Sequence, residues 1–156
     1  MKNLIEKTSD KLVNAFLKNK IIAPIPSKFT KNLKEAQKLR ILCESKIKHP
    51  AIGFKAAGTG IPLIKKFKEK EPFYVTVYKR NILKNGKRVK INNYTLGIEL
   101  EVCYMIKKSF FLSKGLVTMQ NISKYILYMA PCIEVVGYRQ RKKGITSFGD
   151  LCSDFG

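Results

Sequence analysis

The sequence lacks the residues on which several classes of site depend. Its 156 residues include no tryptophan, a single histidine and only 11 acidic side chains, against 31 lysines and arginines. Its four cysteines show no CxxC spacing, which argues against zinc binding or a disulfide framework and favours reduced core thiols. No apolar run approaches the length of a membrane span, and the N-terminus lacks the apolar core of a secretory signal. We therefore expect a cytoplasmic protein that is long enough to bury a core.

The shortage of acids leaves a formal charge of +20, and an excess of this size attracts nucleic acid or anionic membranes. Nearly all of the excess is lysine, and the lysines are scattered over every segment instead of forming one arm or stripe. Such a diffuse distribution supports weak nonspecific binding more readily than a dedicated site, and it is equally compatible with small anionic substrates. We expect no specific nucleic-acid partner and no membrane partner.

Because acids are so scarce, two of them on one predicted strand stand out. Residues 94–106 alternate as a β-strand does, so that Glu99 and Glu101 share a face with Cys103 and Met105. Adjacent carboxylates repel, and burying them is costly without a counter-charge. A bound Mg²⁺ or Mn²⁺ would meet both costs, since these ions prefer oxygen ligands. Lysines on a neighbouring strand would meet them too, and the Glu-x-Glu pattern alone leaves both interpretations open.

A third acid repeats this pattern. Glu134 stands in the apolar segment 131–136 (PCIEVV), between β-branched neighbours, and the segment is typical of a short buried strand. A carboxylate-only metal site formed by Glu99, Glu101 and Glu134 is the economical explanation of three such acids.

The other segments predict a scaffold of helices and strands. Caps at residues 8–10 and at Thr30 indicate two N-terminal helices. Strands are predicted at 52–56 and 73–78, and a hairpin is predicted about Asn85-Gly86. Apolar residues at spacings of 3, 4 and 7 after Thr118 predict one more helix, which Pro131 would end.

Four segments, taken in order and with their intervals, resemble the fumarylacetoacetate hydrolase superfamily, in particular its 2-keto-4-pentenoate hydratase and 4-oxalocrotonate decarboxylase branch. They are residues 53–59 (GFKAAGT), 98–102 (IELEV), 131–136 (PCIEVV) and 150–156 (DLCSDFG). The resemblance implies an α+β fold with a helical segment over 1–50 and an incomplete catalytic β-rich domain over 51–156. That domain would hold a mixed, mostly antiparallel β-sheet that lacks the family's C-terminal strands.

The resemblance also implies roles for individual residues. Glu99, Glu101 and Glu134 would bind Mg²⁺ or Mn²⁺, and the cation would stabilise an enolate as a Lewis acid. Lys55 would contact the substrate and transfer protons. Such a site would hydrate a 2-hydroxy-2,4-dienoate, or would decarboxylate or cleave a related 2-oxo acid, as in the catabolism of aromatic compounds.

Departures from the family pattern affect the remaining site residues. Glu71 falls near the family's acidic proton-transfer position, but another register places Lys70 there, and the glycine usual in that segment is absent. The aspartate usual after the third glutamate is also absent, which alters the support of the metal ligands. Thr59 and Arg139 stand at positions that can line the same cavity.

Alternatives to an active enzyme stay open at this point. Family members continue beyond the segment matched by residues 154–156, so we expect either a homo-oligomer or a partner that supplies a separately encoded C-terminal part. A noncatalytic remnant or oligomer partner would explain the short chain. A basic nucleic-acid-binding protein would explain the charge, although the sequence has no aromatic and basic binding platform.

Overall fold

The computed structural model describes residues 3–69, 72–92, 94–113, 115–141 and 144–154. Two compact units are present, the first formed by Met1–Tyr94 with Tyr138–Gly156 and the second by Thr95–Gly137. The helices are α1 (Leu4–Lys18), α2 (Leu33–Lys46), α3 (Ile61–Phe67), α4 (Lys108–Leu112) and α5 (Phe148–Ser153). The strands are β1 (Ala51–Ala57), β2 (Phe73–Tyr78), β3 (Thr95–Ile106) and β4 (Ile126–Gly137).

The two predicted N-terminal helices are present, but both begin at other caps than predicted. Helix α1 begins after Asn3, whose side chain accepts a hydrogen bond from the Glu6 N–H at 3.0 Å. Thr8 and Ser9 are buried within the helix, where their hydroxyls donate to carbonyls of the preceding turn. Helix α2 begins in the same way after Asn32. Asparagine therefore caps both helices.

A half-buried cluster of polar side chains around Lys46 joins α1 to α2. The Lys46 amino group donates to the carboxylates of Glu6 at 2.6 Å and Asp10 at 2.8 Å, and also to the Ser9 hydroxyl. Apolar side chains from both helices, from the segments that follow them and from β2 form the first core cluster: Leu12, Val13, Phe16, Ile25, Phe29, Leu39, Cys43, Ile47 and Tyr78. The two helices thus contact each other through apolar side chains and through the ion pairs of Lys46.

Strands β1 and β2 pair antiparallel in the first unit, with Lys55 opposite Val75 and Ala57 opposite Phe73. The side chains of Phe73 and Val75 enter a second core cluster with Ala36, Ala57, Phe148 and Cys152. Burial raises the pKa of Cys152 to about 11 and that of Cys43 to about 12, so both thiols stay protonated at neutral pH. The prediction of core thiols is correct for these two cysteines, whereas Cys103 and Cys132 are exposed.

Strands β3 and β4 form the second antiparallel pair, which extends from Thr95 opposite Gly137 to Ile106 opposite Ile126. The helix predicted after Thr118 is wrong, because residues 126–129 belong to β4 and Pro131 lies within that strand. Ile126, Tyr128 and their apolar neighbours pair with β3, and this cross-strand pairing outweighs the helical spacing.

The hairpin predicted about Asn85-Gly86 is also wrong. A turn does form there, with the Lys87 N–H donating to the Lys84 carbonyl at 3.1 Å and with Gly86 at φ 78°. The described residues on either side of the turn, 82–84 and 87–92, form no strands.

The α+β fold class with antiparallel pairing is confirmed. Within the described residues, the strands form two separate two-stranded sheets, β1 with β2 and β3 with β4, instead of one mixed sheet. The described chain holds no helix that combines the length and apolar character needed to cross a membrane. The predicted domain boundary at residue 50, between a helical segment and a catalytic β-rich domain, stays a prediction.

Gly149 lies where α5 approaches the backbone before α2 so closely that a side chain does not fit. A Cβ there would lie 2.5 Å from the Thr30 carbonyl oxygen. We predict that Gly149→Ala lowers the free energy of unfolding by about 1–3 kcal/mol, since α5 must shift to admit the methyl group. Gly60→Ala is the control, because nothing lies within 4 Å of a Cβ at that position. Urea denaturation followed by circular dichroism measures both; equal midpoints for the two variants would contradict the packing.

Candidate metal centre

Three carboxylates converge on one face of the β3–β4 pair. Glu99 lies directly opposite Glu134, and Glu101 lies opposite Cys132, two residues along each strand. Residues opposite one another and residues two apart share a face, so the three side chains project together. One carboxylate oxygen from each lies within 4.8 Å of the other two. Three of the eleven acids in the chain therefore meet at one place.

The register excludes the interpretation in which lysines opposite these acids neutralise them. The residues opposite Glu99 and Glu101 are a glutamate and a cysteine. In the described part of the chain, no lysine or arginine forms an ion pair with either carboxylate. Like charges directly opposite each other on a sheet destabilise it. Repulsion in this cluster is a cost that a bound cation would remove.

Burial of the three acids does not follow the expectation from sequence. Glu99 and Glu101 are exposed and Glu134 is half-buried, because the face on which they lie is open to solvent. Desolvation therefore adds little to the cost of the cluster, and the mutual repulsion of the carboxylates is the main physical reason for a cation.

The donor set fits a hard divalent cation. Oxygen ligands alone suit Mg²⁺, Ca²⁺ and Mn²⁺, whereas zinc and copper favour nitrogen and sulfur. Two oxygens bound to one ion lie at most twice the metal–oxygen distance apart, which is about 4.2 Å for Mg²⁺ and about 5 Å for Ca²⁺. The observed limit of 4.8 Å suits Ca²⁺ directly, and small side-chain rotations would suit Mg²⁺.

Two thiols share the face of the carboxylate cluster. Cys132 lies opposite Glu101, and Cys103 follows Glu101 by two residues. Desolvation by the surrounding atoms, and then the neighbouring Cys103, Glu101 and Glu134, raise the pKa of the exposed Cys132. A protonated thiol is a poor ligand for a hard cation, so the face offers oxygen ligands first. Sequence reasoning missed the place of Cys132, which only the pairing of the strands reveals.

The remaining predicted site residues belong to the first unit or lie outside the described residues. Lys55 is half-buried on the face of β1 that carries Ala57 toward the core, opposite the buried Val75. Thr59 is exposed in the loop after β1. Glu71, like the alternative Lys70, is outside the described residues. Lysines near strand ends are usually exposed, so the half-buried, core-facing position of Lys55 is unusual.

Arg139 has contacts that tie it into the first unit. Its guanidinium donates to the Asp154 carbonyl at 2.6 Å and lies 5.3 Å from the centre of the Phe16 ring. Its backbone N–H donates to the Asp154 carboxylate at 3.0 Å. Burial lowers the pKa of Arg139, and the charge of Asp154 opposes that shift. These contacts favour a structural role, and substrate binding by Arg139 stays a prediction.

Comparisons with known proteins identify the fold. No protein-family model and no curated protein matches the sequence significantly. Among solved structures, 4-oxalocrotonate decarboxylase from Pseudomonas putida G7 complexed with calcium and acetate is similar over 97% of this chain and 57% of that chain, at 15% identity and a TM-score of 0.75. The structure of the same enzyme complexed with magnesium and adipate is similar over 97% of this chain and 58% of that chain, at 14% identity and a TM-score of 0.69.

The chain therefore shares the fold of these structures and spans a little over half of their length. The predicted likeness to 4-oxalocrotonate decarboxylase is therefore confirmed for the fold alone.

Repulsion within the carboxylate cluster gives a prediction for the metal-free protein. In EDTA, we expect Glu99→Gln to raise the free energy of unfolding by about 0.2–1 kcal/mol, because one charge opposite Glu134 is removed. Urea denaturation at low salt measures the change. In the control Glu35→Gln, the change instead removes a 2.6 Å ion pair with Lys38, so stability should not rise. A loss of stability in Glu99→Gln would show that the cluster does not repel.

Proposed function

We propose that the protein binds Mg²⁺ or Mn²⁺ at Glu99, Glu101 and Glu134 and acts as a hydratase-like lyase on a small 2-oxo acid or its 2-hydroxy-2,4-dienoate form. The observation that carries the proposal is the approach of three carboxylate oxygens within 4.8 Å. The shared fold supports it, because the similar enzyme was crystallised with calcium and acetate and with magnesium and adipate. Both organic ligands of that enzyme are small carboxylates, the chemical class proposed here for the substrate.

Both strands would supply ligands to the cation. Glu99 and Glu101 come from β3 and Glu134 from β4, so the paired backbones fix the spacing of the ligands. Three carboxylates would supply some of the oxygen ligands that such a cation requires, and the substrate and water would supply the others. The exposure of Glu99 and Glu101 leaves the cluster accessible to both. When bound, the cation would supply Lewis-acid stabilisation of the charge on the substrate's 2-oxygen.

Proton transfer is the second requirement of the proposed reaction. A 2-hydroxy-2,4-dienoate must gain a proton on carbon and lose its enol proton to reach the conjugated ketone, which then takes up water across its double bond. We assign this proton transfer to Lys55, whose amino group stands on a half-buried, core-facing position of β1. The role of Glu71 as the acidic partner of Lys55 stays a prediction. So does substrate contact by Thr59 and Arg139.

The catalytic unit proposed here is an assembly. Because the chain spans a little over half the length of the similar structures, we assign turnover to these residues together with a second copy or with the remaining part of that fold.

Metal binding tests the proposal at its first step. Isothermal titration with MgCl₂ or MnCl₂ should show one site per chain in the wild type, and Glu101→Gln should weaken binding by at least about tenfold, because it removes a direct ligand. Glu35→Gln removes an acid of the first unit and should bind as the wild type does. Equal affinity in the wild type and Glu101→Gln would contradict the site.

Turnover tests the role of Lys55. In an assembly that binds metal, loss of the 2-hydroxypenta-2,4-dienoate absorbance should be about 10²-fold or more slower in Lys55→Ala, with metal affinity unchanged. Lys31→Ala, at an exposed position, should retain the wild-type rate. Full turnover by Lys55→Ala would exclude Lys55 as the proton carrier. No turnover by any metal-loaded form of the wild type would favour a noncatalytic remnant.

A further inference from the structure

The carboxylate cluster is the first of two similar triangles of side chains on one face of the β3–β4 pair. In the first, Glu99 lies opposite Glu134, and Glu101 follows Glu99 by two residues and lies diagonal to Glu134. In the second, Cys132 lies opposite Glu101, and Cys103 follows Glu101 by two residues and lies diagonal to Cys132. No shift of register falls between the two triangles, so their backbone geometry is the same. We name Glu101, Cys103 and Cys132 the thiol triangle.

This backbone geometry lets three donor atoms converge. In the first triangle, one carboxylate oxygen from each residue lies within 4.8 Å of the other two. A thiol carries its donor atom one bond beyond Cβ, so the donors of the thiol triangle would meet closer to the sheet. Rotation of the two cysteines about their Cα–Cβ bonds and bending of the longer Glu101 side chain would bring them to one ion.

The donors of the thiol triangle favour a different cation from the one proposed for the three carboxylates. Thiolates are soft ligands that select zinc and copper over magnesium and calcium, and zinc also accepts a carboxylate oxygen. Two thiolates, the Glu101 carboxylate and one water would complete the four tetrahedral positions that zinc prefers. The face thus offers oxygen donors at one end and sulfur donors further along, with Glu101 between them.

The two thiols are accessible, and their spacing suits an ion better than a disulfide. Cys103 and Cys132 are free and exposed, whereas Cys43 and Cys152 are buried. Diagonal neighbours on a sheet have Cα atoms about 7–8 Å apart, beyond the roughly 4.4–6.8 Å that a disulfide spans. Two sulfurs on one zinc ion, each at about 2.3 Å, lie about 3.8 Å apart, against about 2.05 Å in a disulfide. The ion therefore bridges a wider gap than an S–S bond does.

The sequence gives no CxxC signal for this pair, because one thiol comes from each strand. The absence of that motif argues against zinc binding within one segment, whereas the pairing of β3 with β4 joins two segments.

We propose that Cys103, Cys132 and the Glu101 carboxylate bind Zn²⁺ beside the site proposed for Mg²⁺ or Mn²⁺. A bound zinc ion deprotonates a coordinating thiol, so each cysteine releases its proton to solvent on binding. Glu101 belongs to both sites and two divalent cations repel, so Zn²⁺ at the thiol triangle weakens Mg²⁺ binding. The zinc site rests on the register of the strands; only its effect on Mg²⁺ rests on the proposed function.

Titration of the full chain with Co²⁺, a spectroscopic substitute for Zn²⁺, tests the thiol triangle. Thiolate ligands give Co²⁺ a charge-transfer absorbance in the near ultraviolet, which carboxylates do not. We expect this absorbance in the wild type, its loss when Zn²⁺ is added, and binding at least about tenfold weaker in Cys103→Ser and in Cys132→Ser. Met105→Leu is the matched control, because it removes an exposed sulfur two residues beyond Cys103, and it should retain the wild-type absorbance.

Variants of the carboxylates separate this proposal from the proposed function. Glu134→Gln should lose Mg²⁺ affinity and keep the thiolate absorbance with Co²⁺, Cys132→Ser should do the reverse, and Glu101→Gln should weaken both. A wild type without the absorbance would overturn the thiol triangle, whether or not Mg²⁺ binds. So would an absorbance that persists in both Cys103→Ser and Cys132→Ser.

Competition between the ions tests the sharing of Glu101. One equivalent of Zn²⁺ should weaken Mg²⁺ binding by at least about tenfold in the wild type and by less in Cys132→Ser, when isothermal titration measures Mg²⁺ binding. An equal effect in both proteins would show that Zn²⁺ displaces Mg²⁺ at the three carboxylates, and it would contradict a separate zinc site that shares Glu101.

Discussion

The antiparallel register of β3 and β4 is the constraint on which both functional proposals depend. It places Glu99 opposite Glu134 and leaves Ile98 and Leu100 to pair with Val135 and Ile133. A slip by one residue would move Glu134 among the apolar side chains and separate it from Glu99 and Glu101. The same pairing therefore builds a cation-binding face and an apolar face on a sheet of only two strands. Neither face can be lost by a change of register without the other.

The chain divides its chemistry between its two units. The first unit holds the buried cores, the protonated thiols of Cys43 and Cys152 and nearly all of the excess positive charge. The second unit is almost neutral and contains the carboxylate cluster. The charge of +20 therefore belongs mainly to the first unit and says little about the candidate metal centre in the second. The net charge alone would favour nucleic acid as the partner, whereas the cluster of three acids favours a small cation.

Sequence alone identified the three glutamates, because a period of two and β-branched neighbours mark a strand and its faces. It could not show what covers a strand, and so it predicted buried acids at Glu99 and Glu101 that are exposed. Apolar spacing after Thr118 fitted a helix as well as a strand, and only pairing with β3 decides between them. The contacts of Arg139 with Asp154 and Phe16 were also beyond reach, because they join segments far apart in the sequence.

Paramagnetic broadening by Mn²⁺ tests the central claim most directly, because it locates the ion without requiring turnover. With substoichiometric Mn²⁺ added to isotope-labelled protein, the claim predicts that amide signals of residues 98–102 and 132–135 broaden first, that excess Mg²⁺ restores them, and that Glu101→Gln reduces the effect. Broadening centred on the acids of the first unit, or an equal effect in Glu101→Gln, would contradict a metal centre formed by Glu99, Glu101 and Glu134.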